Sequence, residues 1–264
     1  MSIRQFVRAL APIASLAVAA LLAGCDDANV SINGEQGKPL AEIDLTGAAP
    51  TALVLMGPDE VRIRQGDSLS ITVDGAKDLA DAMRFTLKDG SLGILRRNGA
   101  WKDGGTVVVN VTMPAPAELV AAGSGTIRAE SLARAAKVTI AGSGDVETMN
   151  VAADALDVTI AGSGNYRAAG TAAKLEMTIA GSGNAAMDAL KTDSAHISIA
   201  GSGRSAFSSD GAVKADILGS GEVRVRGRAR CEVKAAGSGK LVCEADAQAA
   251  AQARPGPRRK AARA

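Results

Sequence analysis

From residue 119 onward the chain repeats one short hydrophobic phrase. Val138-Thr139-Ile140, Val158-Thr159-Ile160, Met177-Thr178-Ile179, Ile197-Ser198-Ile199 and Ala215-Asp216-Ile217 each alternate inward and outward positions. A period of two puts the outer pair on one face of a strand and the middle residue on the other. The middle residue is polar in every copy, and Lys234 continues the series, so one face is buried and the other is wet. Each phrase runs into a Gly-Ser-Gly tripeptide. The tripeptides begin at Gly123, Gly142, Gly162, Gly181, Gly201, Gly219 and Gly237, at spacings of 19, 20, 19, 20, 18 and 18. After each comes a second weak strand, such as Thr126-Ile127-Arg128 or Glu222-Val223-Arg224-Val225, and Leu132, Val151 and Leu190 mark a third apolar point. The period therefore predicts about three extended pieces joined by turns. A loop of ~60 Å follows from ~19 residues at ~3.3 Å each. That length suits one rung of a parallel β-helix, whose rungs bury a core only when stacked. Six steps of ~4.8 Å give a rod of ~29 Å.

The tripeptide reads as the corner of a rung, where glycine adopts tight backbone conformations at no steric cost. Ser124, Ser143, Ser163, Ser182, Ser202, Ser220 and Ser238 are then expected to stack as a structural turn ladder and share hydrogen bonds along the rod. The alternative is a ladder that binds a ligand. Neither the period nor the residues match the calcium-binding nonapeptide repeat, and no metal or cofactor site is predicted.

Residues 39–118 lack the period. They hold alternating runs, Ala52-Leu53-Val54-Leu55, Val61-Arg62-Ile63-Arg64, Leu69–Val73 and Thr106–Val111, separated by Gly57-Pro58, Gly66-Asp67 and Asp89-Gly90. This predicts a β-rich, hairpin-containing cap on the first rung, because bare rung edges would pair with other chains. Pro114 and Pro116 mark its junction with the repeat at 119–245.

Composition sharpens this picture. The chain has 264 residues, 47% hydrophobic but only 2% aromatic, so the core must be aliphatic. The formal net charge of +2 hides an acidic middle: the first 24 and last eleven residues hold seven basic groups and no acids, leaving 23 basic against 28 acidic between them. That balance, with no recognition motif, argues against a nucleic-acid partner.

The two ends carry signals of their own. Residues 1–24 pair a basic start with a short apolar stretch interrupted by Pro12, the pattern of a secretory leader. Leu22-Ala23-Gly24-Cys25 resembles the lipobox of bacterial lipoproteins, which implies lipid attachment at Cys25 and anchoring in a membrane. Residues 25–38 read as a flexible tether. Asp26 after the cysteine resembles an inner-membrane retention signal, and the location stays open between periplasm-facing and outer-membrane anchorage. Residues 246–264 read as a solvated basic tail, with docking on an anionic surface as the alternative. Cys231 and Cys243 remain. In an exported chain they favour a disulfide closing a loop of about 13 residues, contributing on the order of 3 kcal/mol. Two reduced core thiols are the alternative.

No catalytic cluster emerges. His196 is the lone histidine, and Asp145, Asp154 and Asp157 do not recur in later rungs. The narrow range of spacings leaves no long insertion to build the cleft that a polysaccharide-acting enzyme, the rival reading, would need. A threonine row binding ice or another ordered surface would need Thr139, Thr159 and Thr178 to continue, and Ser198, Asp216 and Lys234 break it.

The order LVLMGPDEVRIRQGDSLSITVDG, LKDGSLGIL, VVVNVTMPAPAELVAAGSG, repeated IAGSG and a closing GSGKLVC resembles the bacterial GIN head-domain family, also called the putative autotransporter adhesin head domain, over roughly residues 40–245. The resemblance implies a right-handed parallel β-helix and brings no catalytic residues. The expected function is a non-catalytic, exported envelope lipoprotein: a rigid rod presenting a surface to an envelope protein or polymer.

Overall fold

The computed structural model describes residues 31–32, 34–97, 99–100 and 104–244. The expected leader 1–24, the lipid-bearing Cys25 and the tail 246–264 lie outside the described residues. Among the described residues the protein is all-β apart from a 3-10 turn at Leu40–Glu42 and a short helix at Lys77–Ala82. No described helix is long and apolar enough to cross a membrane.

The aperiodic region supplies rungs as well as a cap. Strands β1 (Ala52–Met56) and β2 (Glu60–Gln65) meet at Gly57-Pro58-Asp59. Strands β3 (Ser70–Asp74) and β4 (Met83–Lys88) flank the helix, and β5 (Ser91–Arg96) and β6 (Val108–Met113) follow. β5 runs parallel to β1 and β6 parallel to β2, so β5 and β6 form a rung outside the one that precedes them in sequence. β3 and β4 then close this end by pairing antiparallel with β6 and β5. Asp89 and Gly90 join β4 to β5 with φ of 50° and 73°, the signature of a two-residue hairpin turn.

On the other side of the β1–β2 rung lie β7 (Glu118–Gly123) and β8 (Thr126–Ser131), then β9 (Ala135–Gly142). The next rungs are continuous ladders: β10 (Asp145–Gly162), β11 (Asn165–Gly181), β12 (Asn184–Gly201) and β13 (Arg204–Gly219). All pair in parallel, making one sixteen-stranded sheet wound into a solenoid. The three-piece rung expected from sequence is simpler in structure. In β10–β13 only the Gly-Ser-Gly corner interrupts the strand, and the mid-rung bends are register shifts, such as Thr148/Val151; the flanking rungs break a second time, as between Ser131 and Ala135. The pairing is interrupted at the bend and resumes beyond it, as where Met187 pairs with Phe207 and Lys191 with Ser208.

The core is the inward alternate set. Val138, Ile140, Val158, Ile160, Met177, Ile179, Ile197 and Ile199 are all buried. Tyr166, the single tyrosine, is buried beside Thr148, and their hydroxyls lie 2.8 Å apart. Burial pushes its phenol well above the usual range, only partly opposed by that hydrogen bond.

The segment expected to be a loose tether is docked from Ile32 onward. Ile32 packs with Val54, Leu95 and Val120 on the outside of the sheet. Its amide and that of Glu35 exchange hydrogen bonds at 2.9 and 3.0 Å, and Lys38 and Phe85 do the same at 2.9 and 2.8 Å. The docking has a simple cause: Val54 and Val120 stand where later rungs carry threonine, and Ile32 covers them.

Strands β14 (Glu222–Arg226), β15 (Arg230–Gly237) and β16 (Lys240–Glu244) finish the solenoid. Cys231 and Cys243 form a disulfide across the last rung. They continue the inward columns of Val213 and Val225. Replacing both by alanine should weaken this rung by about 2–4 kcal/mol. Because solenoid stability is local, amide exchange should quicken in β15 and β16 while β10–β12 keep their protection. Uniform acceleration along the rod would refute the local role.

Candidate functional site

The corners set the geometry of the outer wall. The first glycine of each tripeptide has φ between +116° and +130°. A Cβ on Gly181 would lie 2.4 Å from the carbonyl oxygen of Gly162 below it. The third glycine is buried at every corner but the last, and from Gly164 onward it makes room for an isoleucine: a Cβ on Gly183 would meet Ile160 Cγ2 at 2.5 Å. The serine between them is exposed at all seven corners. Ser143, Ser163, Ser182, Ser202 and Ser220 donate their backbone N–H to the first glycine's carbonyl one rung earlier, each at 2.9 Å. The bonds along the corner run through the backbone. No hydroxyl-to-hydroxyl bond joins these serines among the described residues, so their side chains are free for solvent or a ligand.

The strand entering each corner carries three outward columns in strict register. One column is Glu118, Lys137, Asp157, Glu176, His196, Lys214 and Glu232. The next is Val120, Thr139, Thr159, Thr178, Ser198, Asp216 and Lys234. The third is Ala122, Ala141, Ala161, Ala180, Ala200, Leu218 and Ala236. In the middle rungs this wall is therefore flat, with hydroxyls beside methyl groups. Leu218, 47% exposed, is the one large side chain among the alanines.

A cleft of about 350 Å³ opens at the charged margin of the wall, floored by Ala135, Ala155 and Leu156 and rimmed by Lys137, Lys174, Asp157 and Glu176. Burial, and next the neighbouring Glu176 charge, hold the Asp157 carboxyl above its ordinary range, against the opposing pull of Lys137 and Lys174. The fold thus disfavours the charged form, so Asp157 weakens the protein at neutral pH. Asp157→Asn should raise the melting temperature at pH 7, and the gain should vanish as acid protonates the wild-type carboxyl. A variant that melts at or below the wild-type temperature at pH 7 contradicts this.

A second cleft, of about 220 Å³, lies on the far side of the rung near Asp188, Lys191, Asp210 and Arg226. Lys191 Nζ stands 2.8 Å from Asp210, and the Arg228 N–H donates to the same carboxylate at 3.0 Å. These hold Asp210 down to about 2. Arg226 pairs with Asp188 at 3.2 Å. The pairing was invisible in sequence because its members, one or two rungs apart, lie beside bends where the register between rungs shifts.

The residues weighed for catalysis do not assemble. Asp145 accepts from Asn165 at 2.7 Å, Asp154 pairs with exposed Arg134, and Asp157 lies in the first cleft. His196 stands 3.4 Å from both Ser198 Oγ and Asp216 Oδ2. Both partners face the same nitrogen, Nε2, whereas a proton relay needs one on each side of the ring. Among the described residues no three His, Cys, Asp or Glu side chains cluster to hold a metal ion.

This chain belongs to the family described as putative auto-transporter adhesin, head GIN domain, whose pattern it matches over residues 49–229. No functionally curated protein matches it. Among solved structures it is similar to one from Bacteroides fragilis described as a putative adhesin, at 16% identity and a TM-score of 0.63, covering 75% of this chain and 93% of that one. A structure from Parabacteroides distasonis, described as a putative lipid binding protein, shares 21% identity with a TM-score of 0.57 over 74% of this chain and 93% of its own. One from Parabacteroides merdae, described as a putative adhesin, shares 20% identity with a TM-score of 0.53 over 76% and 93%. At these identities the likeness is one of fold.

Proposed function

We propose that this GIN-domain protein is a non-catalytic envelope lipoprotein whose solenoid wall binds an extended polymer of the cell envelope. The wall of threonine and alanine columns carries this reading. Backbone pairing holds its hydroxyls at a rung spacing of ~4.8 Å on a surface that cannot rearrange. A polymer with repeating hydroxyls or amides can make the same contact on successive rungs, and several weak contacts on one chain add through effective concentration. The surface reading also suits the packed interior. A lipid ligand, the one named for the Parabacteroides distasonis relative, would want an apolar hollow, and here Val138, Ile160 and Ile179 fill the centre. Lipid on Cys25 would hold the rod at its membrane.

Two measurements test the reading. Purified protein should co-sediment with isolated envelope polymer, and Thr159→Lys with Thr178→Glu, whose opposite charges lie side by side, should abolish this while leaving the protein folded. Undiminished binding by that variant removes the wall from the mechanism. Separately, Cys25→Ala should move the protein from the membrane fraction to the soluble one. Retention in the membrane fraction would contradict the lipid anchor.

A further inference from the structure

The two ends of the solenoid differ. At the first end, antiparallel β3 and β4 lie across the outer rung, and the Lys38 backbone occupies the free edge of β4 at Phe85. This single bridge shields the middle of β4 from further pairing, while β3 keeps β6 as its one strand partner among the described residues. At the other end, β15 pairs with β13 and β16 with β14, and neither has a second partner among the described residues. Every residue of β15 is exposed. Val233 continues the column of Ile197 and Ala215, both at the core, yet it is 46% exposed. The final rung therefore presents an apolar centre inside a ring of unused backbone donors and acceptors.

The charges on this edge are complementary to themselves. Reversed upon itself about Val233, β15 sets Glu232 opposite Lys234, and the twofold operation repeats the pair. Reversed about Val242, β16 sets Lys240 opposite Glu244 in the same way. Opposite charges facing across antiparallel strands stabilise the pairing, and like charges there oppose it.

We propose that two copies of this protein join tail to tail through antiparallel pairing of β15 with its own copy about Val233. The dimer is closed, because the same patch serves both copies. It buries Val233 against its twin, supplies partners to the open edge and doubles the length of continuous wall.

The test uses the full chain purified in detergent, with its mass measured by density-matched sedimentation from 1 to 100 µM. A dimer is expected for the wild type. Glu232→Lys and Lys234→Glu should each raise the dissociation constant at least tenfold, because each places like charges opposite one another twice. The double exchange, Glu232→Lys with Lys234→Glu, should restore the wild-type value. A wild-type monomer throughout this range overturns the proposal, as does a dimer indifferent to both single reversals, whose interface would lie elsewhere. Truncation after Glu244 separates the remaining possibility. An unchanged dimer supports the pairing, whereas dimerisation only after truncation shows that residues 245–264 cover this edge in the intact chain and overturns it.

Discussion

Arg96→Met should destabilise the capped end of the solenoid by about 3–5 kcal/mol, the largest single-site effect expected in this protein. Arg96 and Asp59 are both fully buried. The guanidinium grips the carboxylate through Nε at 2.8 Å and Nη2 at 2.6 Å, and Nη2 also donates to the Gly105 carbonyl at 2.7 Å. Asp59 in turn accepts from the Val107 N–H at 3.0 Å. One pair thus ties the corner between β1 and β2 to the loop that carries the chain from β5 to β6. Methionine keeps much of the volume but leaves a buried carboxylate without its cation. Urea unfolding should show the loss, and Arg134→Ala provides the contrast. The Arg134–Asp154 pair has similar distances but sits in solvent, so its removal should leave the urea midpoint close to that of the wild type. Equal effects from the two substitutions would mean that burial does not govern the Arg96 pair.

Gly181→Ala should cost about 2–4 kcal/mol. Its φ of +126° is strained for any residue with a side chain. Its new Cβ would also press on the Gly162 carbonyl, the acceptor for the Ser182 N–H at 2.9 Å. The substitution therefore strains the corner and displaces a ladder bond together. Ser182→Ala, one residue away, removes only an exposed hydroxyl and should stay within about 0.5 kcal/mol. Denaturant midpoints for the two variants check this directly. If Ser182→Ala is as damaging as Gly181→Ala, the corner is held by side chains after all.

Much of the architecture was legible in the repeat. The alternation about Thr139, Thr159 and Thr178 correctly separated core from wall, and glycine at each corner marked where a Cβ has no room. The Cys231–Cys243 bridge followed from cysteine count and position. What escaped were contacts between residues with no shared pattern. Gly57-Pro58 read as a turn, and nothing local marked the neighbouring Asp59 as the partner of Arg96. Ile32 read as part of a loose tether, because its binding surface, Val54 with Val120, comes together only when two strands stack.

The sequence by itself determined the period of the rung, the inward set of each strand and the residue types at each corner. All three are local consequences of strand alternation and backbone sterics. The tertiary structure alone decided that β5 and β6 stack outside β1 and β2, that the mid-rung bends are register shifts, and that the two ends are finished differently. Those outcomes depend on which backbone edges remain free once the chain has passed, and that is a property of the stacked rungs together.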